Sequence, residues 1–125
     1  MTHQGQFGGQ LDDVKKKKLA RRLLEERSVR AEFFPVGMFG ETAWDALLVL
    51  FSHDHSSTLT AADIAARVAE TVSVTGQWLH FLDQHAFTES RIDLLDPRRR
   101  IAELTTTGRE MISAYLATID AVQRR

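Results

Sequence analysis

TAADIAARVAETVSVTGQWLHFLDQHAFTESRIDLLDPRRRIAELTTTGRE, residues 60–110, is the stretch on which the fold turns. Thr60-Ala61-Ala62-Asp63 has the form of a helix start. The threonine hydroxyl can accept from an early backbone N–H, and the acid three residues on sits by the positive helix end. A short helix follows with Ile64, Ala65 and Val68 turned inward, and it ends near Ala69-Glu70-Thr71. Ala61, Ala62, Ala65 and Ala66 are small enough for a neighbouring helix to come close. A second helix is expected from about Ser73 to Gln84, with Trp78, Leu79 and Leu82 as its apolar stripe. Two short helices joined by a turn of three or four residues form a helix-turn-helix. Phe87 to Ile92 and Arg100 to Thr105 then alternate around a turn, which reads as a β-hairpin with Asp96-Pro97-Arg98-Arg99-Arg100 at its tip. Thr106-Thr107-Gly108-Arg109-Glu110 opens a last helix, and Met111, Ile112, Tyr115, Leu116, Ile119 and Val122 lie on one stripe of it to about Gln123.

Working outward toward the N-terminus, Glu41 to Ser52 reads as a helix. Trp44, Leu47, Leu48 and Phe51 fall at i, i+3, i+4 and i+7, and Ala43, Val49 and Leu50 widen the stripe into that of a central helix. Phe33-Phe34-Pro35 breaks the chain before it, because a residue preceding proline is pushed out of the helical region. Residues 10–32 form a first helix on Leu11, Val14, Leu19, Leu23 and Leu24, with Lys15 to Lys18 as a solvated charge run. Residues 1–9 are polar and Gly-rich and read as a mobile tail. The expected fold is therefore mainly α with a small β-hairpin. It is one domain over residues 10–125, with the helix-turn-helix at about 60–85 and the wing at about 87–105.

Composition narrows the functional classes. The chain has 125 residues, 43% of them hydrophobic, and a formal net charge of −1. No cysteine is present, which removes disulfides and thiolate metal sites. The first residues lack the basic and apolar regions of a signal peptide. No apolar run approaches the ~20 residues of a membrane span. A cytoplasmic protein is expected. Charge is uneven: residues 11–34 carry eight Lys/Arg against five acids, whereas residues 58–105 carry five bases against seven acids. Nucleic-acid binding must come from local clustering and not from bulk charge. No phosphate loop, dinucleotide fingerprint or nucleophile elbow occurs, so no enzyme and no cofactor is expected. His53-Asp54-His55 has ligand types, but two histidines and one acid without a further cluster read as a polar connection.

The expected interface is a DNA surface. A helix fits the ~12 Å major groove, and its outward polar groups can meet base edges. The second helix of the pair offers Ser73, Gln77, His80 and Gln84 opposite its apolar stripe, with Thr75 near its start. Arg98, Arg99 and Arg100 supply cations suited to phosphates and to a narrow minor groove. Asp96, two residues before Arg98, is placed to hold one of them in a salt bridge within the turn. Gly76 within the helix costs about 1 kcal/mol against alanine and either permits a close approach or serves nothing.

Residues 59–109 resemble the winged helix-turn-helix of the MarR (multiple antibiotic resistance regulator) family. DPRRRIAELTTTGRE (residues 96–110) carries the likeness best, with an acid, a basic cluster, a short strand, Leu-Thr, then Gly-Arg at the last helix. FPVGMFGETAWDALLVLF (residues 34–51) is similar to the preceding helix of a proteobacterial branch. The resemblance implies sequence-specific binding of double-stranded DNA by a homodimeric transcription regulator. It implies base contacts from Ser73, Thr75 and Gln77, and groove or phosphate contacts from Arg98, Arg99 and Arg100. The first and last helices, about 10–32 and 107–124, would pair across a two-fold axis as dimerisation helices. A small-molecule effector is a further partner, of a class an apolar interior accepts. Two features depart from the pattern: residues 73–85 hold no Lys or Arg, and the terminal helices are short. The alternative is a winged module that binds a protein instead of DNA, consistent with the acidic balance of residues 58–105 and with Phe81, expected to be exposed.

Overall fold

The computed structural model describes residues 12–34, 40–53 and 58–124. Helix α1 (Asp13–Phe33) starts at Asp12, whose carboxylate accepts from the Lys15 backbone N–H at 2.8 Å. It ends where Phe34 turns extended ahead of Pro35. Helix α2 (Glu41–Ser52) follows, then a two-residue strand β1 (Leu59–Thr60), α3 (Ala61–Val68), α4 (Val72–Gln84), β2 (Thr88–Ile92), β3 (Arg100–Leu104) and α5 (Thr106–Gln123). Helix-turn-helix, hairpin and flanking helices all stand where the periodicity places them. The expected tail, residues 1–9, lies outside the described residues, as does the 54–57 part of the loop that holds His55.

Each helix of the central unit is fixed by its own cap. Thr60 and Asp63 form a reciprocal capping box: Thr60 Oγ1 accepts from the Asp63 N–H at 3.1 Å, and Asp63 accepts from the Thr60 N–H at 2.9 Å. That backbone donation, the largest effect, holds the Asp63 carboxyl below its usual range, and Arg99 and Arg67 add to it. Ala69 ends α3 in the left-handed region at φ 57°. Thr71 caps α4 on the Val74 N–H, and Thr105 caps α5 on the Gly108 N–H. Gly108 is required there because a Cβ would stand 2.1 Å from the Phe87 carbonyl oxygen. The close approach lets Thr105 donate from its hydroxyl to the Ala86 carbonyl at 2.6 Å, locking the start of α5 onto the end of the helix-turn-helix.

Strand order is β1-β3-β2, antiparallel throughout. Thr88 faces Leu104 and Ile92 faces Arg100, while β1 adds Leu59 opposite Ala102. The sequence gives no sign of β1, since two residues carry no alternation and their partners are over forty positions away. Glu89 lies directly opposite Glu103, a destabilising pair that Arg91 relieves through its 3.0 Å bridge to Glu103.

The core is centred on α2, whose Ala43, Ala46 and Leu47 are essentially fully buried, as are Ile64 of α3, Leu79 and Leu82 of α4 and Ile112 of α5. Phe34, Trp44, Phe87 and Tyr115 form an aromatic cluster, Trp44 and Tyr115 meeting edge to face at 5.0 Å. α1 packs along α5 near this cluster, with Phe33 against Tyr115 and Gln123 donating to Glu26 at 3.2 Å. Earlier in α1, Val14, Leu19, Leu23 and Leu24 are all exposed.

Candidate nucleic-acid interface

α4 presents one polar face and one buried face. Ser73, Gln77, His80 and Gln84 are exposed together, opposite Leu79 and Leu82, as the helical period requires. Thr75 does not join them, and its expected base contact is corrected. Its side chain is wholly buried, because it lies four residues before Leu79 and so on the core stripe. Its hydroxyl finds no hydrogen-bond partner among the described residues. The same i, i+4 arithmetic that places Leu79 inward identifies Thr75 as inward. Phe81, expected to be exposed, is half-buried between Trp78 and the His85 ring, which stands 4.4 Å away.

The three wing arginines divide by environment. Arg98 bridges to Asp96 at 3.3 Å, the pairing the sequence anticipates, yet its side chain remains 91% exposed. Arg99 bridges to Asp93 at 3.4 Å and is half exposed. Exposed bridges of this kind are worth about 0–1 kcal/mol, so both guanidinium groups can exchange an aspartate for a phosphate at little cost. Arg100 is held differently. It turns back toward α4, donating to the Asp83 carboxylate at 3.0 Å and to the Gly76 carbonyl at 3.3 Å, while the Thr88 hydroxyl donates to the other oxygen of Asp83 at 2.5 Å. It is a brace between wing and helix, and its expected groove contact is corrected accordingly. Gly76 is not sterically compelled, since an added Cβ would meet only the Arg100 guanidinium at 3.9 Å.

Arg98 and Arg99 overhang a recess of about 300 Å³ whose other walls include Thr60, Val72 and Gly76. The wing therefore stands beside the N-terminal half of α4, where Ser73 and Gln77 follow Val72 and Gly76 in the chain. No group of three or more metal-ligating side chains occurs among the described residues. No described helix is long and apolar enough to cross a membrane.

No protein-family model matches the chain, and no curated protein matches it in sequence. Solved structures do. MepR of Staphylococcus aureus in complex with DNA superposes with a TM-score of 0.72 at 21% identity, over 86% of this chain and 83% of that one. MepR described as a transcription regulator of the S. aureus multidrug efflux pump MepA gives 0.68 at 18% identity, over 99% and 81%. MepR bound to ethidium bromide gives 0.67 at 19%, over 93% and 81%. On these superpositions, this chain has the winged helix-turn-helix fold of MepR, a MarR-family transcription regulator.

Proposed function

We propose that the protein is a sequence-specific, double-stranded-DNA-binding transcription regulator that acts in the cytoplasm as a homodimer. The observation that carries the reading is the exposed polar face of α4 with the outer wing arginines standing beside the N-terminal half of that helix. Ser73 and Gln77, nearest the N-terminus of α4, are the base-reading residues, since readout favours that end of a recognition helix. Gln can pair with adenine through two hydrogen bonds, and serine serves base or phosphate. His80 and Gln84 lie further along the same face and border the backbone. Arg98 and Arg99 take phosphates or the minor groove. The recognition helix, which carries no Lys or Arg, leaves most of the charge neutralisation to the wing, so the salt dependence is expected to be modest for a DNA binder.

The dimer reading rests on α1. Its Val14, Leu19, Leu23 and Leu24 stay exposed among the described residues. A two-fold pairing would set two α4 helices toward half-sites about one helical turn apart. MepR binds ethidium, and a planar aromatic cation is the first effector class to assay here.

The test is fluorescence anisotropy of the purified protein against its own upstream DNA, with scrambled DNA in competition, at two salt concentrations. Salt-sensitive preference for its own DNA is expected. Gln77→Ala should weaken that preference by roughly 1–3 kcal/mol. Absence of binding to either duplex at micromolar protein overturns the reading. It would favour a protein-binding winged module, in keeping with the acid partner that each wing arginine already has.

A further inference from the structure

The most solvent-exposed large apolar side chains described in the molecule are not on α1 but at the wing tip. Leu94 and Leu95 are 94% and 95% exposed, with Ile92 beside them more than half exposed. They are held there by a closed turn. The Asp93 carboxylate accepts from the Leu95 N–H at 2.9 Å, and the Asp93 N–H donates to the Arg99 carbonyl at 3.0 Å. The Arg99 N–H donates to the Asp96 carbonyl at 2.9 Å, with Pro97 presetting that turn. Asp93 and Asp96 are in turn matched by Arg99 and Arg98. The turn is locally neutral, braced, and displays two leucines to solvent.

What covers these leucines follows from where the wing stands. Arg98 and Arg99 of the turn share a recess with Val72 and Gly76, so the wing stands beside the N-terminal half of α4. With α4 in a major groove, the next surface along the duplex is the flanking minor groove. Arg98 and Arg99, in the same turn and separated from Leu95 by Asp96 and Pro97, supply the cations a minor groove attracts. Apolar side chains at such a position act as wedges between base steps, unstacking them and bending the duplex.

Building on the DNA-binding reading above, we propose that Leu94 and Leu95 form an apolar wedge that enters the minor groove flanking the α4 site and opens a base step there. The wedge gives the protein a specificity element that reads deformability. Pyrimidine–purine steps such as TA or CA open easily, whereas an A-tract is stiff, so the protein prefers the former at the flank without a hydrogen bond to any base.

The experiment uses the full chain and a 40-bp duplex carrying the segment it protects in its own upstream DNA, with 2-aminopurine placed in turn at each flanking step. The wild type is expected to raise 2-aminopurine fluorescence severalfold at one flanking step. Leu94→Ser/Leu95→Ser should abolish that rise and weaken binding roughly tenfold, with the slope of log affinity against log salt unchanged. Arg98→Ala should do the converse, keeping the fluorescence rise and lowering the slope by about one. Both leucines are exposed, so folding survives the change, as circular dichroism would verify. A double variant that binds and unstacks DNA like the wild type overturns the wedge while leaving the DNA-binding reading intact. A wild type that binds with no fluorescence change at any flanking step does the same. A wild type that binds no DNA removes both.

Discussion

Thr75 has no hydrogen-bond partner for its hydroxyl among the described residues, although its side chain is wholly buried. A buried hydroxyl without a partner costs about 1–3 kcal/mol. Thr75→Val keeps the shape and removes the orphan, so stability in urea should rise by about 1 kcal/mol, with DNA affinity unchanged. Lower stability would mean that the hydroxyl has a partner in solution. Lower DNA affinity would return Thr75 to the interface. The residue also shows how sequence reading goes astray: threonine is a plausible base contact by type, and only its phase relative to Leu79 shows otherwise. Ser73 and Gln77 have the outward phase, and the structure leaves both exposed. Arg98 and Arg100 read alike in sequence, and only the hairpin register, which sets Arg100 opposite Ile92, turns one of them back onto α4.

At the scale of elements, the helices were legible because each carries its own period and its own cap, as Thr60, Thr71 and Thr105 show. Strand β1 was not, because its two residues gain meaning only from β3. The wing leucines are illegible for a related reason: a Leu-Leu pair in a turn is an incidental apolar step in sequence, and only the hydrogen bonds of Asp93 and Asp96 show it held outward. How wing and recognition helix keep a common orientation depends on the brace from Arg100 to Asp83 and Gly76. Both members of the ion pair are partly exposed, at 31% and 23%, so its stabilising value is modest. A double-mutant cycle with Arg100→Gln and Asp83→Asn should give a coupling of about 1 kcal/mol in urea unfolding. Arg100→Gln should also weaken DNA binding more than its small cost in stability accounts for, because helix and wing then lose their fixed relation. A coupling near zero would show that the β2–β3 ladder alone sets the wing.

At the scale of the whole molecule, α1 is the element that a single chain does not explain. It buries Val29 but leaves four apolar residues exposed along its earlier turns. Its charges are partly sorted: Lys15 to Lys18, Arg21 and Arg22 lie in the first half with Asp13, and Glu25, Glu26 and Glu32 in the second with Arg27 and Arg30. The excess of bases in the first half and of acids in the second favours an antiparallel pairing of two copies. If two copies cross between Leu23 and Leu24, Arg21 and Arg22 of one face Glu25 and Glu26 of the other, while Lys15 approaches Glu32. The leucines then fill the centre of the contact. Leu23→Glu/Leu24→Glu removes the apolar centre and adds acid beside acid, so the protein should sediment as a monomer at micromolar concentration. Lys15→Glu/Arg21→Glu/Arg22→Glu should weaken the dimer while leaving the centre apolar, and raising salt should narrow its deficit, since screening suppresses the repulsion it introduces. On the proposed reading of two half-sites by one dimer, either dimer-breaking variant should lose far more affinity for the full upstream site than for a single half-site. A monomeric variant that binds the full site as tightly as the wild type would place the dimer contact on a different surface.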